Sequence, residues 1–399
     1  MKKYSVNSFV FKNGERFCHV VNKFTGEPIY YPNLYLITQV RNQSNSINTM
    51  QSIAGGLVLL ENFFSFFSIN IEDRILKLEF LSFDEITSLL DYMSKSFKKG
   101  KVISTYVKGP TKYFRFIVIC DYIKWLCNVI LSSSNHKNVG AEINSFINNL
   151  KNERPSNTDR YQKNISDKTL TQRQIDLIFH ILKPGGMENP FSLEVQSRNR
   201  LIILLLYSLG LRAGELLNLR ISDIDLCHST IAIRRRADDK SDPRLYQPLV
   251  KTCERKLPIG DVLMKEIYKF ITGDRNKVRN SKGNDFLFIT NKSGKTVGMP
   301  LSKSAYHKII KIISKSHAEL NELSGHMLRH TWNYDFSKNI DEMDERFSEE
   351  REAKIRSYIM GWCPGSEMAK IYNRRHIEEE SYKTSLSFQN KMMEKFINE

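Results

Sequence analysis

Hydrophobic positions along this chain change their period twice, and each change predicts a different kind of element. In residues 1–33 the apolar side chains come in short runs, Phe9-Val10-Phe11 and Phe17-Cys18-His19-Val20-Val21, on either side of Asn13-Gly14. Such runs about an Asn-Gly pair predict a β-hairpin, because both turn residues tolerate the positive φ that a tight turn requires. Thr25-Gly26-Glu27-Pro28 predicts a second turn.

From about Leu34 the spacing becomes helical. Ile53, Leu57, Leu60, Phe63, Phe64 and Phe67 recur every three or four residues, with Ser44, Ser46 and Thr49 as candidate N-caps. Asp84 and Glu85 open a second run, Ile86, Leu89, Leu90 and Met93, which leads to Lys98-Lys99-Gly100. Two more amphipathic runs cover Thr111 to Leu131 and Ala141 to Leu150. Together they predict a helical bundle.

A polar stretch with Pro155 then reads as an exposed linker. After it, Thr171 and Gln174 have the spacing of a capping box. Helices are expected at 171–182, 195–210, 261–272, 302–316, 326–338, 349–360 and 366–374. Short strands are expected at Thr230–Arg234, Pro248–Val250 and Lys256–Ile259. The expected fold is mainly α with a small antiparallel β-sheet. Its expected parts are an N-terminal β-hairpin or arm-like extension (1–33), a helical domain (34–152), a linker (153–169) and an α+β domain (170–399). The last ends in a tail, 376–399, whose Ser387, Phe388, Met392, Met393, Phe396 and Ile397 have helical spacing.

Charge narrows the choice of partner. Sixty Lys and Arg against 44 Asp and Glu leave a formal charge of +16. That surplus favours a polyanion, whose condensed counterions are released on binding. Composition alone leaves DNA, RNA and an anionic membrane surface open. The six cysteines, Cys18, Cys120, Cys127, Cys227, Cys253 and Cys363, are scattered without a Cys-x-x-Cys pair. They read as reduced thiols rather than a disulfide framework or zinc site, with Cys120 and Cys127 on one buried helix face. No stretch is apolar enough to span a bilayer, and the start lacks the apolar core of a secretory signal.

Four segments carry chemistry. In Gly210-Leu211-Arg212-Ala213-Gly214-Glu215-Leu216-Leu217, an arginine sits between an apolar helix and a second helix, with a carboxylate one turn on. Held this way it suits bidentate contact with a phosphate, or simply a helix-end salt bridge with Glu215. Lys251 falls at the tip of an expected strand–turn–strand, either solvated or reaching into a cleft. His326 and Arg329 stand three apart on a helix and are expected to share a face. Finally, a helix stops at Gly361, Trp362 follows, and a Pro-Gly turn leads to Tyr372. Each segment alone has an ordinary structural explanation.

In this order the four segments resemble the tyrosine recombinases, the group of phage integrases and Xer-type recombinases. The resemblance spans roughly residues 34–385 and is strongest from Leu201 to Tyr372. It identifies Arg212 as the first catalytic arginine with Glu215 as its supporting acid, and Lys251 as the β-hairpin lysine. His326 and Arg329 fall on the His-x-x-Arg box, Trp362 on the second His-or-Trp position, and Tyr372 on the nucleophile. Two departures stand out. The Trp362–Tyr372 spacing is one residue longer than usual, and an acidic insertion begins at Asp341-Glu342-Met343-Asp344-Glu345. Tyr334, Tyr358 and Tyr382 are the rival nucleophiles.

The resemblance implies a core-binding domain and a catalytic domain forming a C-shaped clamp around double-stranded DNA. It implies a DNA strand transferase that cuts and rejoins through a 3′-phosphotyrosine, without ATP, metal or other cofactor. Lys98, Lys99, Lys101, Lys108, Lys112, Arg115, Arg234, Arg235 and Arg236 are the candidate phosphate contacts. The implied role is that of a site-specific recombinase or integrase of a mobile element. It would act as a homo-tetramer on synapsed sites, with an accessory directionality factor or partner recombinase as a further possible partner, in the prokaryotic cytoplasm at the nucleoid. A type IB topoisomerase-like relaxing enzyme and a non-catalytic DNA-binding relative are the alternatives.

Overall fold

The computed structural model describes residues 3–43, 46–96, 106–132, 139–153, 169–343, 348–363, 365–366, 381–382 and 384–393. The chain forms two compact units, residues 1–163 and 164–399.

The first unit opens with the expected hairpin, β1 (Tyr4–Val10) paired antiparallel to β2 (Arg16–Asn22) with Phe9 opposite Phe17. Its inner face carries Cys18 and Val20, both fully buried, against α2 (Ile47–Phe66). Asn62 of α2 fastens the strand end by accepting the backbone N–H groups of Lys3 and Tyr4 at 2.8 and 3.1 Å. The hairpin is therefore part of this unit's core. Helix α1 (Tyr30–Tyr35) begins before the expected boundary at Leu34 and runs into a π-helical turn, Leu36–Arg41. Ser46 caps α2 by accepting the Thr49 N–H.

α3 (Ile71–Leu76) was not foreseen. α4 (Phe83–Ser94) starts with a Ser82–Glu85 capping box and ends at Ser94, before the lysines expected to close it. α5 (Gly109–Leu131) is the spine: it packs on α2, α3, α4 and α6 (Val139–Asn152). Its Ile119, Ile123, Leu126, Cys120 and Cys127 are all essentially inaccessible, which confirms the common buried face of the two cysteines.

The second unit starts at α7 (Gln172–Ile181), whose Thr171–Gln174 capping box forms as expected. α8 (Leu193–Leu209) is buried along Leu201–Ile203 and Leu205–Leu206 and packs against α9 (Ala213–Asn218), α10 (Asp261–Phe270) and α12 (Gly325–Asp341). A small sheet is ordered β3 (Ile224–Asp225), β4 (Thr230–Ile233), β5 (Arg255–Pro258). The short β3 was not foreseen.

β4 and β5 pair directly, Ile231 opposite Leu257. Residues 234–254 therefore loop out between two adjacent strands, and Pro248–Val250 is not a strand. The expected strand–turn–strand at Lys251 is thus corrected to a long excursion. Residues 248–250 are instead occupied against α9. The Asn218 amide donates to the Pro248 carbonyl. α11 (Lys303–Ser316), α12 and α13 (Glu349–Met360) complete the unit. Among the described residues no helix is long and apolar enough to cross a membrane.

Candidate active site

The site is built around one buried carboxylate. Helix α8 ends at Gly210, whose φ of 58° is the left-handed conformation that glycine adopts without Cβ strain. The reversal puts Arg212 at the N-cap of α9 and Glu215 in its first turn. Glu215 bends back to accept the Arg212 backbone N–H at 2.9 Å. Its side chain is wholly inaccessible and meets three guanidinium groups: Arg255 Nη2 at 3.2 Å, Arg329 Nη1 at 3.8 Å and Arg212 Nη1 at 3.9 Å. The Thr252 hydroxyl donates to its other face. Burial by itself raises the Glu215 carboxyl. Arg255, Arg329, the Thr252 hydroxyl and the Arg212 amide outweigh it and hold the group below the usual carboxylate range.

One carboxylate among three guanidiniums leaves a local surplus of positive charge, which suits an anionic ligand. The three differ in what they have to offer. Arg212 keeps 29% of its side chain exposed, whereas Arg255 and Arg329 keep 1% each. Arg329 Nη1 donates to the Gly210 carbonyl at 2.6 Å and Nη2 to the Met360 carbonyl at 3.0 Å. The Trp362 ring lies 5.9 Å from its guanidinium. Trp362 is itself buried with Met360 and packs with Trp332. Gly361, with φ of 64°, ends α13 and turns the chain so that Trp362 covers Arg329.

The excursion between β4 and β5 returns through this site. The Cys253 N–H donates to the Gly361 carbonyl at 2.8 Å, and Arg255 Nε donates to the Ile359 carbonyl at 2.5 Å. Lys251 itself is exposed, one residue before Thr252. Gly214 makes room for this segment: a Cβ there would lie 2.2 Å from the Leu249 carbonyl oxygen. Arg212, Glu215, Arg329 and Trp362 are thus brought together from distant parts of the chain, with Lys251 joined through Thr252.

His326 is the outer member of the His-x-x-Arg pair. It stands exposed near the start of α12, edge-on to His330 with ring centroids 4.5 Å apart, while Arg329 points inward. The box thus has one exposed member, His326, and one buried member, Arg329, three residues apart on α12. Tyr372 lies outside the described residues. Of its rivals, Tyr358 and Tyr382 are well exposed and Tyr334 about one-third exposed.

Sequence reasoning missed Arg255 and Thr252 as members of the site. One signal was there: Arg255 and Leu257 are buried while Lys256 and Pro258 are exposed. Alternation counted back from an apolar Leu257 points Arg255 inward.

Among the candidate phosphate contacts, Lys98, Lys99 and Lys101 lie outside the described residues. Lys108 is exposed and Lys112 half-buried at the start of α5. Arg115 is spent on structure, donating to the Met93 and Lys95 carbonyls at 2.7 and 3.0 Å. Arg234–Arg236 follow β4 rather than lying in it; Arg234 and Arg236 pair with Asp223 at 3.4 and 2.6 Å, and Arg235 is exposed.

Fold and site together define a mainly helical unit that gathers three arginines around one buried carboxylate. Residues 168–347 match the model of the phage integrase family. The chain is 27% identical over 165 residues to tyrosine recombinase XerD of Halalkalibacterium halodurans, covering 41% of this chain and 46% of that one. It thus spans about half the length of that relative. It is 24% identical over 306 residues to transposase A from transposon Tn554 of Staphylococcus aureus, covering 75% and 78% respectively. Among solved structures, it is similar to XerH site-specific recombinase bound to difH substrate, at 17% identity and a TM-score of 0.48, covering 84% and 79%. It is also similar to the Tn1549 transposon integrase in complex with transposon right end DNA, at 16% identity and a TM-score of 0.47, covering 87% and 94%. The similarity of this chain, through residues 168–347 and through these relatives, is to the phage integrase family of tyrosine recombinases.

Proposed function

We propose that this protein is a DNA strand transferase of a mobile element, cutting and rejoining duplex DNA through a 3′-phosphotyrosine on Tyr372. The observation that supports it best is the Glu215 hub, which gathers Arg212, Arg255 and Arg329 beside the Lys251 segment. The likeness to a Tn554 transposase over three-quarters of the chain favours the mobile-element role.

A phosphodiester repels nucleophiles, and a phenol with pKa of about 10 is a poor one. Positive charge organised in advance around the phosphate lowers that barrier. Arg212, the exposed guanidinium, meets a non-bridging oxygen first. Arg329 reaches the second once DNA draws it from the Gly210 and Met360 carbonyls, with Trp362 moving aside or offering its indole N–H. His326 takes the phenol proton or donates to the phosphorane. Lys251 protonates the departing 5′-oxygen. Energy stays in the phosphotyrosine bond, so a new 5′-hydroxyl reverses the step without ATP.

Lys98, Lys99, Lys101, Lys108, Lys112 and Arg235 are proposed phosphate contacts along the DNA. The active assembly is a homo-tetramer on two synapsed sites in the cytoplasm, with accessory factors setting direction. The deciding experiment uses a suicide substrate whose cut strand cannot be resealed. The wild-type chain should form a covalent adduct, and Tyr372→Phe should form none. Adduct formed by the phenylalanine variant would overturn the assignment. Relaxation of supercoils without paired sites would favour a topoisomerase instead.

A further inference from the structure

Two thiols beside the charged hub touch each other. Cys253 Sγ and Cys363 Sγ are 3.7 Å apart, one on the excursion two residues after Lys251, the other immediately after Trp362. Their backbones are already joined, because the Cys253 N–H donates to the Gly361 carbonyl at 2.8 Å. Two side chains held at this separation by fixed backbones need only a small rotation to reach bonding distance. Cys363 is exposed and Cys253 half-buried, so a dissolved reagent can reach the pair. Cys18, Cys120 and Cys127 are buried, and burial pushes the thiols of Cys18 and Cys127 up to about 12, which leaves them inert.

We propose that Cys253 and Cys363 are a reversible modification site, closing into an intramolecular disulfide by exchange with a low-molecular-weight disulfide. The Cys363 thiolate attacks one sulfur of the reagent, forms a mixed disulfide and releases one thiolate. Cys253 then loses its proton to solvent, attacks Cys363 Sγ and displaces the second reagent thiolate. The two cysteines together give up two electrons and two protons, and the reagent is reduced to two thiols. Cys363 is the first attacker because it is the more exposed of the two thiols.

The bond would tie the lysine-bearing segment to the stretch that leads from Trp362 toward Tyr372. Resting on the strand-transfer reading, its consequence is loss of cleavage: Trp362 could no longer move off Arg329, nor the nucleophile adjust independently of Lys251. Dithiols would reverse it.

The test has two arms on the full-length chain. In the first, reduced protein is titrated with oxidised glutathione, free thiols are alkylated, and non-reduced peptides are mapped by mass spectrometry. The expected product is a Cys253–Cys363 linked peptide. Cys363 recovered only as a glutathione adduct, or joined to Cys227, overturns the proposal. In the second, suicide-substrate cleavage is compared before and after oxidation. The oxidised wild-type protein should lose most of its cleavage rate and regain it with dithiothreitol, while Cys363→Ser and Cys253→Ser stay insensitive. A complete cross-link with unchanged cleavage overturns the regulatory consequence. Failure of the reduced protein to cleave counts against the strand-transfer reading alone, since the peptide map reads the disulfide without any activity.

Discussion

Glu215 and Arg255 form a buried ion pair, Oε2 to Nη2 at 3.2 Å, with neither side chain more than 1% exposed. Arg329 approaches the same oxygen at 3.8 Å. Removing the carboxylate charge strands guanidiniums without compensation, which costs about 3–5 kcal/mol in buried pairs. Glu215→Gln should therefore lower the melting temperature of the second unit and abolish adduct formation.

The same pair predicts an acid limit. The folded Glu215 carboxyl lies below its ordinary value of 4.5, so the unfolded chain takes up the proton first as pH falls. Its stabilisation is complete above that value and is lost as pH drops through the lower folded one. Melting curves of wild type and Glu215→Gln should differ at neutral pH and converge in acid. A constant gap would show that the charge is not what stabilises.

Gly214→Ala tests the seat of the excursion. The new Cβ would sit 2.2 Å from the Leu249 carbonyl oxygen, a backbone atom that cannot rotate away. Overpacking of this kind costs about 1–3 kcal/mol. Because the displaced backbone leads to Lys251, cleavage should fall further than thermal stability; a variant that melts early yet cleaves normally would separate the two.

Lys251→Ala should be nearly silent in stability, within about 0.5 kcal/mol, because the side chain is exposed. Cleavage should slow sharply if the lysine protonates the leaving oxygen. A substrate with sulfur at the 5′-bridging position expels a leaving group that needs no proton. It should restore the variant's rate, and absence of rescue would exclude the acid role.

In the first unit, burial, helped by the negative charge of Glu72, pushes the Glu61 carboxyl up to about 7. Folded protein then holds a proton that unfolded chain releases near 4.5, so stability falls as pH rises between those values. Glu61→Gln should flatten that slope in melts taken from acid to neutral pH, and an unchanged slope would acquit Glu61.

Much of this protein follows from local pattern. The Asn13-Gly14 hairpin, the Thr171–Gln174 box, the buried faces of α5 and α8 and the stop at Gly361 depend on residues within a turn or two of each other. Period and capping chemistry read such features directly. Arg212 with Glu215 is local in the same sense.

What tertiary structure decided are the relations that no spacing encodes. Asn62 fixes a strand fifty-eight residues away, and Arg255 finds Glu215 across forty residues. Residues 248–250 have a strand's composition, yet the Asn218 amide of α9 takes the Pro248 carbonyl and Gly214 packs against Leu249, so they leave the sheet. Arg329 is buried and His326 exposed, although they stand three apart on α12, because packing covers only one side of that helix. A sequence determines which groups are available and which lie on one turn. Which distant guanidinium shares a buried carboxylate is set by packing, since only the folded interior excludes the water that would otherwise solvate each charge separately.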